Sequence, residues 1–423
     1  MLLHFCPQCG TKLQPGYRFC PSCGDKLPCA ADLTAAVEAT SSEVSQYHLW
    51  SWPVLSPLLF PGPPPQVSPT LKQYPQKPVV ISLYLLLPCM FVVKGKAKKV
   101  KRVCAVEPLQ EGEELCDTTG RKWRLVSLLS QSEAELFYGG EFTLKCTSVL
   151  GAKDGKIFNE QNFLQRAAKP SSVDKWVKQA KLDFLGVPAC AGFGLHADSY
   201  RFLIFPNMGQ TLQSFMDEGD VILSEKAVLQ LACRILDVLE FIHKNEYVHA
   251  DIHAENIYIS TAQQTQVYLA GYGHAFRYCP GGRHVEYREG SRTPHEGAIE
   301  FISLESHKGA GPSRRSDLQA LAYCLLRWHT GTLPWSSLTQ TPGRVSAEKE
   351  RFVKDIPGLM SHCFGQKKVS GALQSYLCQV MALQYSDQPD YEALRAGLMA
   401  ALQKLGGSLE KPLDLQVNAL SKR

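Results

Sequence analysis

"YVHADIHAEN" at residues 247 to 256, followed by "VYLAGYGHAF" at 267 to 276, decides how this chain is read. The first stretch carries Asp251 and, five residues on, the carboxamide of Asn256. Fifteen residues beyond that asparagine stands Gly271, which offers neither a carboxylate nor any side chain. Working outward, the text before this region reads as strands and the text around it as helices. "KWRLVSLLS" (122–130) and "ELFYGGEFTLKCTSV" (135–149) alternate apolar and polar residues as half-buried antiparallel strands do, with "YGGE" as a turn. "FNEQNFLQRAAK" (158–169) reads as a helix. "SEKAVLQLACRILDVLEFIHKNE" (224–246) places Leu231, Ile235, Val238, Leu239 and Ile242 at one-face helical spacing behind the N-cap candidate Ser224. The expected order is a small β-rich lobe followed by a large helical one.

The bulk numbers suit a soluble chain of one large core or two domains: 423 residues, 44% apolar, formal charge +5. The basic excess is local. "KGKAKKVKR" at 94–102 holds six basic residues and no acid, so no general nucleic-acid-binding face is indicated. This run has three readings: a nuclear localisation signal, which leads, a lipid-surface contact, or a solvated stretch. Fifteen cysteines scattered among core-like segments, with no cleavable secretory signal at the start, point to a reducing intracellular compartment. The uncharged segment "VVISLYLLLPCMFVV" (79–93) is shorter than the roughly 20 residues of a membrane span and is interrupted by Pro88, so a linker is preferred to an anchor.

Near the start, Cys6, Cys9, Cys20 and Cys23 form two C-x2-C pairs, each written C-P-x-C-G. Four thiolates at this spacing close a tetrahedral zinc site, and a module so small draws most of its folding free energy from the metal. The pattern resembles the short zinc ribbons found at the ends of many unrelated proteins. Zinc is therefore expected as a structural cofactor with no open coordination position. The expected organisation is a zinc ribbon over 1–28, a low-complexity linker over 29–112, the large domain over 113–405 and a C-terminal tail over 406–423.

Taken together, the motifs of the large domain resemble the protein kinase fold: α+β and bilobal. Lys145 in "FTLKC" matches the strand lysine that holds nucleotide phosphates, and Glu160 in "IFNEQNF" the helix glutamate that positions it. Asp251 matches the catalytic base and Asn256 the second-metal ligand. "SDLQALAYCLLRW" and "GTLPW" look like the central large-lobe helix and its following turn, with Asp317 holding the catalytic loop's backbone. More narrowly, "NEQNFLQRAAKP", "KLDFLGVPACAGFG", "YRFLIFPNMG", "GYGHAFRYCP" and "GPSRRSDLQALAYC" are similar to the vaccinia-related kinase family, whose added helix would be "SSVDKWVKQAKLDFLGVP". The zinc ribbon together with "GYG" points to that family's third, pseudokinase member.

Against the kinase pattern the chemistry is depleted. Phosphoryl transfer from ATP depends on positioning and on Mg²⁺ neutralising the terminal phosphates, and the chief protein ligand for that metal is replaced by Gly271. Asn256 remains, but a neutral amide is a weak ligand for a hard dication. The glycine-rich phosphate loop aligns on "SQSEAE", which puts Ser130, Ser132 and Glu135 at its glycine positions with Glu133 beside them. Side chains there obstruct backbone approach to phosphate. A carboxylate about 4 Å from a phosphate repels it by roughly 4 kcal/mol near a protein surface, about a thousandfold in affinity. Glu133 or Glu135 is further expected to reach Lys145 and take the place of a phosphate, or else to point into water.

Other positions are mixed. His253 replaces a lysine expected two residues after the catalytic aspartate; Phe205 aligns with the gatekeeper; and Met208, in the hinge "PNMG", keeps an N–H for adenine. Asp251 is retained where the pseudokinase member tends to lack it, which suits a structural role or residual activity. Arg277, Arg283, Arg288 and Arg292 suit an acidic peptide or a solvated face. The resulting expectation is a catalytically impaired Ser/Thr kinase-like scaffold, nuclear, with ATP and Mg²⁺ not expected as cofactors. The resemblance implies association with a dual-specificity phosphatase acting on MAP kinases. No nucleic acid or membrane partner is expected, and the oligomeric state stays open. The alternative is a weak or unconventional ATP-dependent Ser/Thr kinase using Lys145, Glu160, Asp251 and Asn256.

Overall fold

The alternating stretch 122–130 forms two strands rather than one. β1 (Glu114–Cys116) and β2 (Lys122–Arg124) pair as an antiparallel hairpin, after which Leu125 and Val126 carry the chain into β3 (Ser127–Gln131). β4 (Leu136–Gly139) and β5 (Phe142–Ser148) follow, then helices α1 (Lys156–Arg166) and α2 (Pro170–Ala180). β6 (Gly192–His196) and β7 (Tyr200–Pro206) complete a five-stranded antiparallel sheet in the order β3-β4-β5-β7-β6. The computed structural model describes residues 107–131, 135–139, 142–148, 155–197, 199–219, 221–415 and 418–419. The four paired cysteines, the apolar run 79–93, the basic run 94–102, Ser132 and Glu133 lie outside the described residues.

Period-two alternation sends neighbouring residues of β7 to opposite faces of the sheet. Phe202 and Ile204 join Leu115, Trp123 and Leu125 in an outer cluster sealed by the β1–β2 hairpin. Leu203 and Phe205 turn inward to the core shared with the helices. Hydrogen-bonded packing begins before residue 113: Tyr138 Oη donates to the Leu109 carbonyl (2.9 Å) and Tyr200 Oη to that of Glu107 (3.0 Å).

The helical lobe opens with β8 (Gln210–Thr211), α3 (Leu212–Gly219), β9 (Val221–Ile222) and α4 (Glu225–Lys244). Ser224 caps α4, its Oγ accepting the Ala227 N–H at 3.0 Å, as the sequence predicts. The helix is buried on nearly every side rather than on one face, because it forms the axis against which the other elements of the lobe pack. β10 (Tyr247–Val248), β11 (Ile257–Ile259), β12 (Val267–Leu269) and β13 (Phe276–Arg277) are short strands that frame the loops of interest. Helices α5 (Leu304–His307), α6 (Arg314–Thr330), α7 (Pro342–Val353), α8 (Ile356–Phe364), α9 (Gly371–Ala382) and α10 (Tyr391–Lys404) complete the lobe.

The described residues after α10 bond to the helical lobe. Gln230 Nε2 donates to the Ser408 carbonyl (2.8 Å), Asp414 N–H donates to Gln230 Oε1 (3.1 Å), and β14 (Asn418–Ala419) pairs with β9. α2, in the segment that the resemblance reads as an added helix, begins at Pro170, whose fixed φ suits a first helical turn, and ends at a left-handed Lys181. Among the described residues no helix is long and apolar enough to cross a membrane.

Candidate functional site

β5 delivers Lys145 to the inner face of the sheet, where its ammonium is held between two carboxylates. Glu160 Oε2 of α1 lies 2.9 Å away and Glu135 Oε1, just before β4, lies 3.1 Å away. Burial alone would push the lysine pKa down; the two carboxylates outweigh it and hold the ammonium above its ordinary range. The expected reach of an acid to Lys145 is thus made by Glu135. Ser130 is exposed on β3.

Glu160 does a second job. Its other oxygen accepts the Tyr272 N–H at 3.2 Å, while Asn159 Nδ2 donates to the carbonyls of Gly273 (3.0 Å) and Ala275 (2.7 Å). Phe163, one turn further along α1, stacks on the Tyr272 ring with centroids 4.0 Å apart and planes 13° from parallel. His249 meets the same ring edge-on at 4.7 Å. These contacts draw α1 onto 271–275 and close the cleft from behind. Tyr272 is fully buried, and its hydroxyl has no hydrogen-bond partner among the described residues.

Gly271 adopts φ +79°, ψ +48°, a left-handed conformation that glycine takes without strain. A Cβ added there would fall 2.1 Å from Asn256 Oδ1 and 2.5 Å from its Cγ. The space that a metal-binding aspartate would fill is therefore occupied by the Asn256 carboxamide. Its Nδ2 donates to the Asp251 carbonyl at 2.9 Å, so the amide ties the loop to itself.

Asp251 is likewise engaged. Its Oδ1 accepts the Ala298 N–H at 2.9 Å, which joins the catalytic-type loop to the returning segment before α5. His253 Nδ1 donates to the Asp251 carbonyl (2.9 Å), and His274 Nε2 stands 3.9 Å from Asp251 Oδ2. His274 Nδ1 lies 3.5 Å from Glu296, and this contact holds the Glu296 carboxyl below its usual range. Beneath the loop, Asp317 of α6 is fully buried. It accepts backbone N–H groups of His249 (2.7 Å) and Ala250 (2.8 Å) and faces His243 Nε2 at 2.9 Å. That is the anchoring role its motif predicts.

Comparison with known proteins agrees with this geometry. The protein kinase domain family matches residues 153–390 and the zinc-ribbon domain family residues 5–27. Serine/threonine-protein kinase VRK3 of Bos taurus is 48% identical over 333 residues, spanning 75% of this chain and 73% of that protein. The Homo sapiens VRK3 is 49% identical over 324 residues, spanning 74% and 68%. A solved structure of vaccinia related kinase 3 superposes with a TM-score of 0.68 at 48% identity, covering 73% of this chain and 95% of the other. The chain belongs to the vaccinia-related kinase family.

The gatekeeper and hinge candidates of this vaccinia-related kinase family member lie at the end of β7 and just beyond it. Phe205 pairs across the sheet with Thr143, and both Phe205 and Met208 are buried in the main core. Gly209, at φ +94°, presses on the cleft floor: a Cβ there would lie 2.0 Å from the Ile259 carbonyl, so no larger residue fits. Of the four arginines considered, Arg277 pairs with Glu246 (2.7 Å), and Arg292 stacks over Phe276 (4.8 Å) and reaches Glu296 (3.9 Å). Arg283 and Arg288 are exposed. Six residues carry no local sequence signal: Asn159, Ala298, Glu296, and the members of a relay in which Lys349 donates to His307 Nε2 (3.1 Å) and His307 to His295 (2.9 Å). Asn159 and Ala298 meet partners 114 and 47 residues away along the chain.

Divalent-cation chemistry needs oxygen donors, and Glu135 and Glu160 are both spent on Lys145. Among the described residues no three His, Cys, Asp or Glu side chains are placed to hold a metal. Mg²⁺ does not fit the donor set that remains at Gly271 and Asn256. The tetrathiolate sequence of Cys6, Cys9, Cys20 and Cys23 does suit zinc.

Proposed function

We propose that this chain is a kinase-fold binding protein whose nucleotide cleft is closed by its own residues. The observation that carries the reading is the Glu135–Lys145 contact: a side chain of the protein occupies the position at which a phosphate oxygen would meet the lysine. The amide of Asn256 in the space beside Gly271 supports it independently. In this reading the fold serves as a rigid platform for signalling partners, by resemblance a dual-specificity phosphatase acting on MAP kinases. The basic run 94–102 carries the protein to the nucleus, and the ribbon cysteines hold one structural zinc.

A weak kinase is the second reading, favoured by the intact Lys145–Glu160 pair, the anchored loop and the retained Asp251. Thermal unfolding with ATP, alone and with Mg²⁺ or Mn²⁺, separates the two. Ligand at a hundredfold its Kd adds about 2.7 kcal/mol, several degrees for a domain of this size. The binding-protein reading expects no such shift in any condition. A shift of several degrees, with phosphate transfer lost in Asp251→Asn, establishes the kinase instead. Fractionation of cells expressing a chain without 94–102 tests nuclear entry, and metal content of the full chain against a Cys20→Ser/Cys23→Ser variant tests the zinc.

A further inference from the structure

The small lobe carries a second concave surface, away from the cleft. It lies between the β1–β2 hairpin and the outer face of the sheet and encloses about 310 Å³ over a floor that includes Trp123, Tyr138 and Phe142. Every charged side chain lining it is cationic: Arg121, Lys122 and Arg124. Lys122 has a counterion in Glu114 at 3.1 Å. Arg121 and Arg124 have no carboxylate within ion-pair distance among the described residues; the Arg121 guanidinium lies over the Trp123 ring instead, 4.0 Å from its centroid. At the rim stands Val126, 58% exposed, and on the adjoining edge strand Leu129, 62% exposed, the two most exposed large apolar side chains among the described residues.

We propose that this groove docks an extended acidic segment of a partner protein. Its apolar side chains would seat against the aromatic floor and the Val126–Leu129 rim, and its carboxylates would meet Arg121 and Arg124. A guanidinium already stacked on an aromatic ring keeps its planar fork directed for bidentate carboxylate recognition and loses little freedom on binding. β3 ends the sheet, with no strand on its outer side among the described residues, but its Leu128 N–H already donates to Glu111 Oε1 at 3.1 Å, so recognition rests on the side chains of the groove rather than on strand pairing. A second copy of this chain is disfavoured, since a two-fold contact would set Arg121 and Arg124 against their own counterparts. The inference holds whether or not the cleft takes nucleotide and so stands apart from the preceding reading.

The test is fluorescence anisotropy on the full chain with a labelled peptide alternating glutamate with leucine and phenylalanine, beside the same peptide with lysine for glutamate. Binding of the acidic peptide alone is expected, weakened at least tenfold in Arg121→Glu/Arg124→Glu and in Val126→Asp but unchanged in Arg344→Glu, at an exposed position of α7. Thermal unfolding of each variant confirms that the fold is kept. The proposal is overturned by absent binding, by equal binding of the lysine peptide, by full affinity in the folded double variant, or by a groove-dependent response only to phosphatidylserine vesicles.

Discussion

The carboxamide of Asn256 and the missing side chain of Gly271 occupy the same space: the amide oxygen stands 2.1 Å from where a Cβ on residue 271 would sit. Restoring the aspartate therefore does not restore a metal site. Gly271→Asp must evict the amide and break its 2.9 Å bond to the Asp251 carbonyl. A loss of about 1–3 kcal/mol in unfolding free energy by urea titration is expected, with no gain in Mg²⁺-ATP binding by calorimetry while Glu135 remains. An undiminished midpoint would show that the loop relaxes freely around the new side chain.

Lys145 and Glu135 should respond asymmetrically to substitution. Lys145→Met leaves Glu135 and Glu160 facing one another without the cation, and removing one member of a buried ionic cluster costs about 3–5 kcal/mol. Glu135→Gln keeps the Glu160 pair and a hydrogen bond, so a cost of about 1 kcal/mol is expected. Equal losses in the two variants, measured in the same denaturant series, would contradict the three-residue arrangement.

Tyr272→Phe is expected to stabilise the protein. The hydroxyl is fully buried without a partner among the described residues, and a buried unsatisfied polar group costs about 1–3 kcal/mol. The ring keeps its stack on Phe163. A raised melting temperature checks it; a lowered one would mean that the hydroxyl is satisfied in solution.

Acid should destabilise the large lobe through three buried imidazoles. His243 Nδ1 accepts the Tyr391 hydroxyl, His249 Nδ1 accepts the Asp251 N–H at 3.2 Å, and His307 Nε2 accepts from the Lys349 ammonium. Burial holds all three below the usual imidazole range, His307 at about 3. Above pH 6.5 the unfolded chain's imidazoles are also neutral and the effect vanishes. Below it the unfolded chain takes up protons that the native state refuses, so stability falls by up to about 1.4 kcal/mol per pH unit for each group until its native pKa is reached. Denaturation midpoints between pH 7.5 and 5 should drop accordingly, and His307→Gln should shallow the slope.

Much of this was legible because kinase-fold motifs are local. Lys145, Glu160, Asp251 and Asp317 are each marked by neighbours within a few residues; the structure pairs Lys145 with Glu160 and sets Asp317 under the loop that carries Asp251. Glu135 was legible as a candidate because "SQSEAE" aligns with the phosphate loop; the antiparallel register of β4 on β5, with Phe137 opposite Lys145, is what brings it within reach. The collapse of Asn256 onto Gly271 was not, since a residue's identity does not reveal what fills a vacancy elsewhere. α4 looked one-sided because the period of its largest residues conceals the small and polar ones that the surrounding elements also bury. The segment past α10 reads as tail because its bonds are to Gln230, far upstream.

Glu135 has one property that no nucleotide shares: it is tethered and cannot be diluted away. In a working kinase the join between lobes opens and closes as ligand comes and goes, so its outer surfaces report metabolic state. On the binding-protein reading proposed above, Glu135 is a built-in occupant, and α1 with the surfaces it positions would be presented alike with and without nucleotide. On that reading the fold would have exchanged a gauge for a fixture.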